Sequence, residues 1–129
     1  MSTHEQDSFI REAFYGYLEC ALWSSTVEDD PATGSTVSMD DLYDSHDIAS
    51  EAYEAMREDV TAFVDAEWDD VRKLDAQQVG HDFWLTRNRH GAGFWDRGLG
   101  ELGDRLTAAA HVYGSSDLYV GDDGKVYVS

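Results

Sequence analysis

The chain has 129 residues, 42% of them hydrophobic and 12% aromatic, which suits one domain with an ordinary core. Its formal net charge is −18, from 27 acidic and 9 basic residues; such a surface repels nucleic acid and anionic membranes and attracts basic proteins. The single cysteine, Cys20, excludes an intrachain disulfide and fits a reducing cytoplasm.

The opening residues carry neither a basic nor an apolar segment, so no signal peptide is expected. No run approaches the ~20 apolar residues of a membrane span. Ser8–Ser24 reads as the first helix, with Ile10, Phe14, Tyr17, Leu18, Ala21 and Leu22 recurring at helical spacing. Asp7 or Ser8 can cap it. Cys20 falls among these apolar positions and reads as a buried, inert thiol. Residues 25–44 hold the only proline, Pro31, with Gly34 and many Ser, Thr and Asp. They read as a long, mobile acidic surface loop.

Asp47–Glu67 reads as the second helix, with Ile48, Ala52, Ala55, Met56, Phe63 and Ala66 as its inner stripe. Ser45 or Asp47 can cap it, and Trp68–Leu74 extends it or turns. Val79–Arg87 alternates: Val79, His81, Phe83 and Leu85 face one way, Asp82, Trp84 and Thr86 the other, the signature of a strand. Leu99–Val112 reads as a third helix through Leu99, Leu102, Leu106, Ala109 and Ala110, stopped by Gly114. Asp117–Val120 and Lys125–Val128 flank Gly121-Asp122-Asp123-Gly124 as a hairpin. The Asp pair there is explained by turn chemistry; a calcium loop needs more oxygens at set spacing.

The expected fold is therefore one α+β domain over residues 1–129, in the order α-α-β-α-β-β. Three helices pack on a small antiparallel sheet of about three strands, strand 79–87 joining the C-terminal hairpin. The expected core is Phe14, Leu18, Leu22, Phe63, Phe83, Leu85, Leu102 and Leu106.

The densest chemistry lies in His81–Arg97, HDFWLTRNRHGAGFWDR, where aromatic, cationic and hydrogen-bonding side chains crowd around Gly91 and Gly93. Arg87, Asn88, His90, Asp96 and Arg97 are its candidate site residues. They are expected in one tight cluster beneath the Gly91–Gly93 turn, with Asp82 and Asp96 as carboxylate partners for the arginines. His81, Asp82, His90, Asp96 and His111 are ligand-type residues, but no HExxH, CxxC or paired-His spacing is present, so no metal is expected. A phosphate site at the Gly91–Gly93 turn, with Arg87, Arg89 and Arg97, matches neither GxGxxG nor a P-loop. No cofactor and no catalytic residue is assigned.

The segments Tyr17–Ser24, His81–Asp96 and Asp117–Gly124 together resemble a group of small acidic proteins encoded by tailed phages and related mobile elements. The specific core is FWLTRN-x-HGAGFWDRG at Phe83–Gly98. Arg89 departs from the pattern, which favours a smaller residue there. The resemblance implies a phage origin and the host cytoplasm as setting; it carries no mechanism with it.

Residues 28–75 hold 16 acidic against 3 basic residues, a net of −13. Along helix 47–67, Asp47, Glu51, Glu54, Glu58 and Asp59 form the candidate partner-binding set. Steps of three or four residues at 1.5 Å rise cover roughly 5–6 Å, close to phosphate spacing along a nucleic-acid strand. Two function classes result. The first is an acidic accessory protein that binds a basic host or defence protein, itself nucleic-acid-binding, as a DNA mimic. The second is a small-ligand binder or enzyme using His81–Arg97. Few lysines (Lys73, Lys125) and an excess of Asp over Glu also suit adaptation to salt.

Overall fold

A computed structural model describes residues 4–90 and 92–129. Helix α1 (His4–Ser24) leads into a hairpin of β1 (Thr26–Asp30) and β2 (Ser35–Ser38). Two 3-10 turns, Met39–Asp41 and Ser45–Asp47, precede α2 (Ser50–Ala66). The one-turn α3 (Trp68–Val71), α4 (Ala76–Arg87), a 3-10 turn Phe94–Asp96 and α5 (Glu101–His111) follow. Strands β3 (Leu118–Val120) and β4 (Val126–Val128) close the chain. The fold is α+β, with five helices and two separate two-stranded antiparallel sheets among the described residues. The expectation of three helices on one three-stranded sheet does not hold.

The largest correction is Val79–Arg87, a helix rather than a strand. Asp75 caps it, its carboxylate accepting from the Gln78 N–H at 2.9 Å. Val79, Gly80 and all of Asp82–Arg87 are buried, so past its first turn the helix is covered nearly all round, with Gln77 and Gln78 exposed and His81 partly so. A helix buried all round carries no apolar stripe, and the 3.6-residue period disappears from its sequence. What remained was a chance alternation.

The chief cover is α1. A Cβ at Gly80 would overlap the Ala13 carbonyl oxygen, and one at Gly16 the Gln77 carbonyl oxygen. The two helices therefore meet backbone to backbone, which only glycine permits. Around this crossing Tyr17, Phe63, Phe83, Trp84, Phe94 and Tyr113 form a continuous aromatic core. Phe63 of α2 and Phe83 of α4 stack 4.2 Å apart at 9°. Seven of the eight expected core residues are buried; Leu102 is only partly so. Cys20 is fully buried.

The acidic stretch 25–44 is no structureless loop. Val27 pairs with Val37 and Thr26 with Ser38, with an irregularity between Glu28 and Asp30. The Asp30 carbonyl accepts from Thr33 and Gly34 N–H groups to close the turn, Gly34 at φ 70°. Helix α2 starts at Ser50, not Asp47. Asp44 and Asp47 instead cap the preceding turn reciprocally: His46 N–H donates to Asp44 and Asp44 N–H to Asp47, both at 2.8 Å. Ala52, Met56, Val60, Phe63 and Val64 form the buried stripe of α2, whereas Ala55 and Ala66 are exposed.

The C-terminal hairpin forms as expected, Tyr119 opposite Tyr127. It docks on the start of α2 rather than on 79–87. Ile48 bridges Val126 in parallel, and the Ala49 N–H donates to the Val126 carbonyl at 2.8 Å. Among the described residues no helix is long and apolar enough to cross a membrane.

Candidate functional site

Two regions compete: the acidic face of α2 and the 81–97 segment. On α2 the positions Glu51, Glu54 and Glu58 follow i, i+3, i+7 spacing and are all exposed. They span roughly 10 Å along the axis at 1.5 Å per residue. Asp65 extends the stripe and accepts a hydrogen bond from the Gln6 amide. Among the described residues, Glu51, Glu54 and Glu58 have no cation at ion-pair distance. The other two expected members differ. Asp47 lies off the helix, in the cap described above. Asp59 faces inward to Arg87.

Arg87, at the end of α4, is the most heavily bonded side chain of the interior. Its guanidinium donates to Asp59 at 2.7 Å, to the Tyr17 hydroxyl at 3.0 Å, and to the carbonyls of Gly114 and Tyr113 at 2.9 and 3.1 Å. It also lies against the rings of Phe83 and Tyr113. The side chain is 6% exposed and its charge is balanced by Asp59, 41% exposed. Burial pushes the Tyr17 phenol up to about 12, with Arg87 pulling it the other way. This arrangement ties α1, α2, α4 and the end of α5 together. Four of its five N–H groups are thereby used within the chain.

Arg97 points elsewhere. It grips buried Asp82 through Nε and Nη2 at 2.9–3.2 Å, as expected for one of the two arginines. Asp82 also accepts from Gln78 at 2.9 Å. His81 Nδ1 is buried with no hydrogen-bond partner among the described residues, 4.0 Å from Asp82, and its ring lies near the exposed Trp23 ring, 6.1 Å between centroids. The hydrogen bond to Asp82 holds the Arg97 guanidinium above its ordinary pKa. The nearby Cys20 thiol is pushed up to about 12, by burial first and by Asp82 second, which removes it as a nucleophile at neutral pH.

Asn88 is a clamp. Its amide donates to the Trp84 carbonyl at 3.0 Å and accepts from the Ser116 N–H at 2.7 Å, fixing the chain after α5 to the end of α4. His90 is exposed and lines a polar cleft of about 270 Å³ with Ser25, Asn88 and Asp117. Asp96 is exposed. The five candidate residues thus divide between separate tasks instead of forming one cluster, and Arg87 pairs with neither Asp82 nor Asp96. Gly91, part of the expected turn, lies outside the described residues.

Arg89 occupies a special backbone position. Helix α4 ends in a Schellman motif: His90 N–H donates to the Leu85 carbonyl and Arg89 N–H to that of Thr86, with Arg89 at φ 57°. Glycine or asparagine is at ease there; an arginine is tolerated at some cost.

Among the described residues no three His, Cys, Asp or Glu side chains converge in a metal-binding group. Sequence reasoning missed Tyr17 and Asp59 as the partners of Arg87. The only sequence signal was a tyrosine on an otherwise apolar helix face. Comparison with protein-family models, curated protein sequences and solved structures finds no significant match.

Proposed function

We propose that this chain is a non-enzymatic acidic protein that binds a basic partner protein through its unpaired carboxylates, centred on the outer face of α2. The observation that carries the reading is a contrast in how its acids are used. The carboxylates of Asp59, Asp70 and Asp82 are matched with Arg87, Arg105 and Arg97. Those of Glu51, Glu54 and Glu58 stand exposed with no cation at ion-pair distance among the described residues, on one face at near-phosphate spacing. The partner class is a nucleic-acid-binding protein whose basic cleft the acidic face occupies in place of a duplex. With the resemblance to phage-encoded proteins, the setting is the host cytoplasm and the target a host or defence protein.

The alternative, a small-ligand site in His81–Arg97, has weaker support. Arg87 and Arg97 are already paired, with Asp59 and Asp82, which leaves Arg89, exposed, as the remaining arginine of the segment. Also open to solvent is the polar cleft beside His90.

The test is competition. A labelled duplex is bound to a non-sequence-specific basic DNA-binding protein, and the chain is added. Displacement should occur at low salt and weaken steeply as salt rises. Glu51→Gln, Glu54→Gln and Glu58→Gln together should weaken displacement by about tenfold or more. Displacement undiminished by the triple change, or unmoved by salt, would refute the α2 face as the contact.

A further inference from the structure

We infer that the cleft between Tyr15 and Tyr43 is the seat of a single arginine side chain of the basic partner. The inference rests on the reading above and names the point of specific contact. The acidic face supplies long-range attraction; this cleft supplies a shaped receptor for one cation.

The cleft is built by two fixed elements. On α1, Tyr15, Leu18, Glu19 and Leu22 follow i, i+3, i+4, i+7 spacing and share one face. Facing them are the turn Met39–Asp41 and the residues after it. Met39 is 1% exposed, its N–H donates to the Ser25 carbonyl at 2.8 Å, and its own carbonyl accepts from Leu42 and Tyr43. Ser38 Oγ donates to the Trp23 carbonyl at 2.6 Å. The turn is thereby pinned to the end of α1, and the cleft is pre-formed, which lowers the ordering cost of binding. Its volume is about 340 Å³, at the small end of the ~300–1,000 Å³ of ligand clefts and suited to one side chain.

The lining specifies the occupant. Buried Leu18 and Leu22 offer apolar surface for a methylene stem. Tyr15 is 51% exposed, and among the described residues neither its ring nor that of Tyr43 stacks on another ring. Glu19, Asp40 and Asp44 surround them. Among the described residues Glu19 and Asp40 have no cation at ion-pair distance, while Asp44 Oδ1 is already engaged by the His46 N–H. An anion would be repelled, and a purely apolar group would strip water from carboxylates without compensation. A planar, weakly hydrated guanidinium satisfies both features: its face stacks on tyrosine and its edge donates to carboxylates. A compact, strongly hydrated ammonium uses only the second.

The probe is Nα-acetyl-arginine methylamide, titrated to about 50 mM because one side chain binds weakly, and followed by ¹H–¹⁵N spectra of the whole chain. Saturable shifts confined to residues 15–22 and 39–45 are expected. The citrulline analogue, neutral but of the same shape, and the lysine analogue should bind at least about fivefold more weakly. Tyr15→Ser with Glu19→Gln should cause a similar loss, with shifts elsewhere and the melting midpoint unchanged. Equal binding of citrulline or lysine would overturn the arginine assignment. Shifts spread equally along residues 51–58, or none at all, would overturn the cleft. Hexa-arginine peptide in parallel separates the two readings. If it binds and is weakened by the α2 triple change while the arginine probe leaves residues 15–22 and 39–45 unshifted, the acidic-face reading stands and the cleft falls; if it fails to bind, both fall.

Discussion

Arg87 of α4 donates to Asp59 of α2 at 2.7 Å, and this pair decides how the 81–97 segment is read. An arginine that looks like a ligand anchor in the sequence is a fastening between four parts of the chain. Removing it should therefore be felt in stability. Arg87→Ala is expected to cost about 2–4 kcal/mol, because four hydrogen bonds go and the Tyr17 hydroxyl loses its donor. Asp59→Asn should cost less, about 1–2 kcal/mol, since Asp59 is 41% exposed and water screens the change. Urea denaturation of both variants and their double mutant should give a coupling of about 0.5–3 kcal/mol. A coupling near zero would show the pair to be incidental.

The α1–α4 crossing gives a sign reversal. Glycine to alanine inside an exposed helix stabilises by about 1 kcal/mol. At Gly80 the added methyl meets the Ala13 backbone, which cannot step aside as a flexible side chain would. Gly80→Ala is expected to destabilise by more than about 2 kcal/mol. A raised melting midpoint would mean the helices have room to part.

Leu106 and Leu102 separate by burial. Leu106 is fully buried, and its truncation to alanine should cost on the order of 2–5 kcal/mol. Leu102, partly exposed, should cost distinctly less. Equal losses in thermal or urea unfolding would contradict the packing of α5.

Alkaline stability follows from Cys20. Burial raises its thiol from 9.0 to about 12. Between those values the unfolded chain has lost the proton while the native chain keeps it. Stability is therefore full below the unfolded value and falls as pH rises, by about 1.4 kcal/mol per pH unit. Tyr17 acts in the same direction from 10.0 to about 12. In Cys20→Ala the slope between pH 9 and 10 should flatten by the thiol's share, read from urea midpoints. An unchanged slope would mean the thiol titrates normally.

Parts of the fold whose physics is local are legible in the residues alone. Helix α1 announces itself through a stripe at Ile10, Phe14, Tyr17 and Leu18, because one side of it stays in water. The C-terminal hairpin follows from Gly121–Gly124 between short β-rich runs. The acidity of 28–75 needs no fold at all. The other parts depend on contacts between distant segments. Helix α4 lost its period because α1 and α5 pack on it and Phe63 of α2 stacks on its Phe83, burying nearly all of it past the first turn, and the β1–β2 hairpin was hidden among turn residues of low apolar content. The side-chain partners of Arg87, Tyr17 and Asp59, lie 70 and 28 positions away in the chain. Side-chain type shows that a buried guanidinium needs acceptors; only the packing of α1, α2 and the end of α5 around α4 determines which ones it meets.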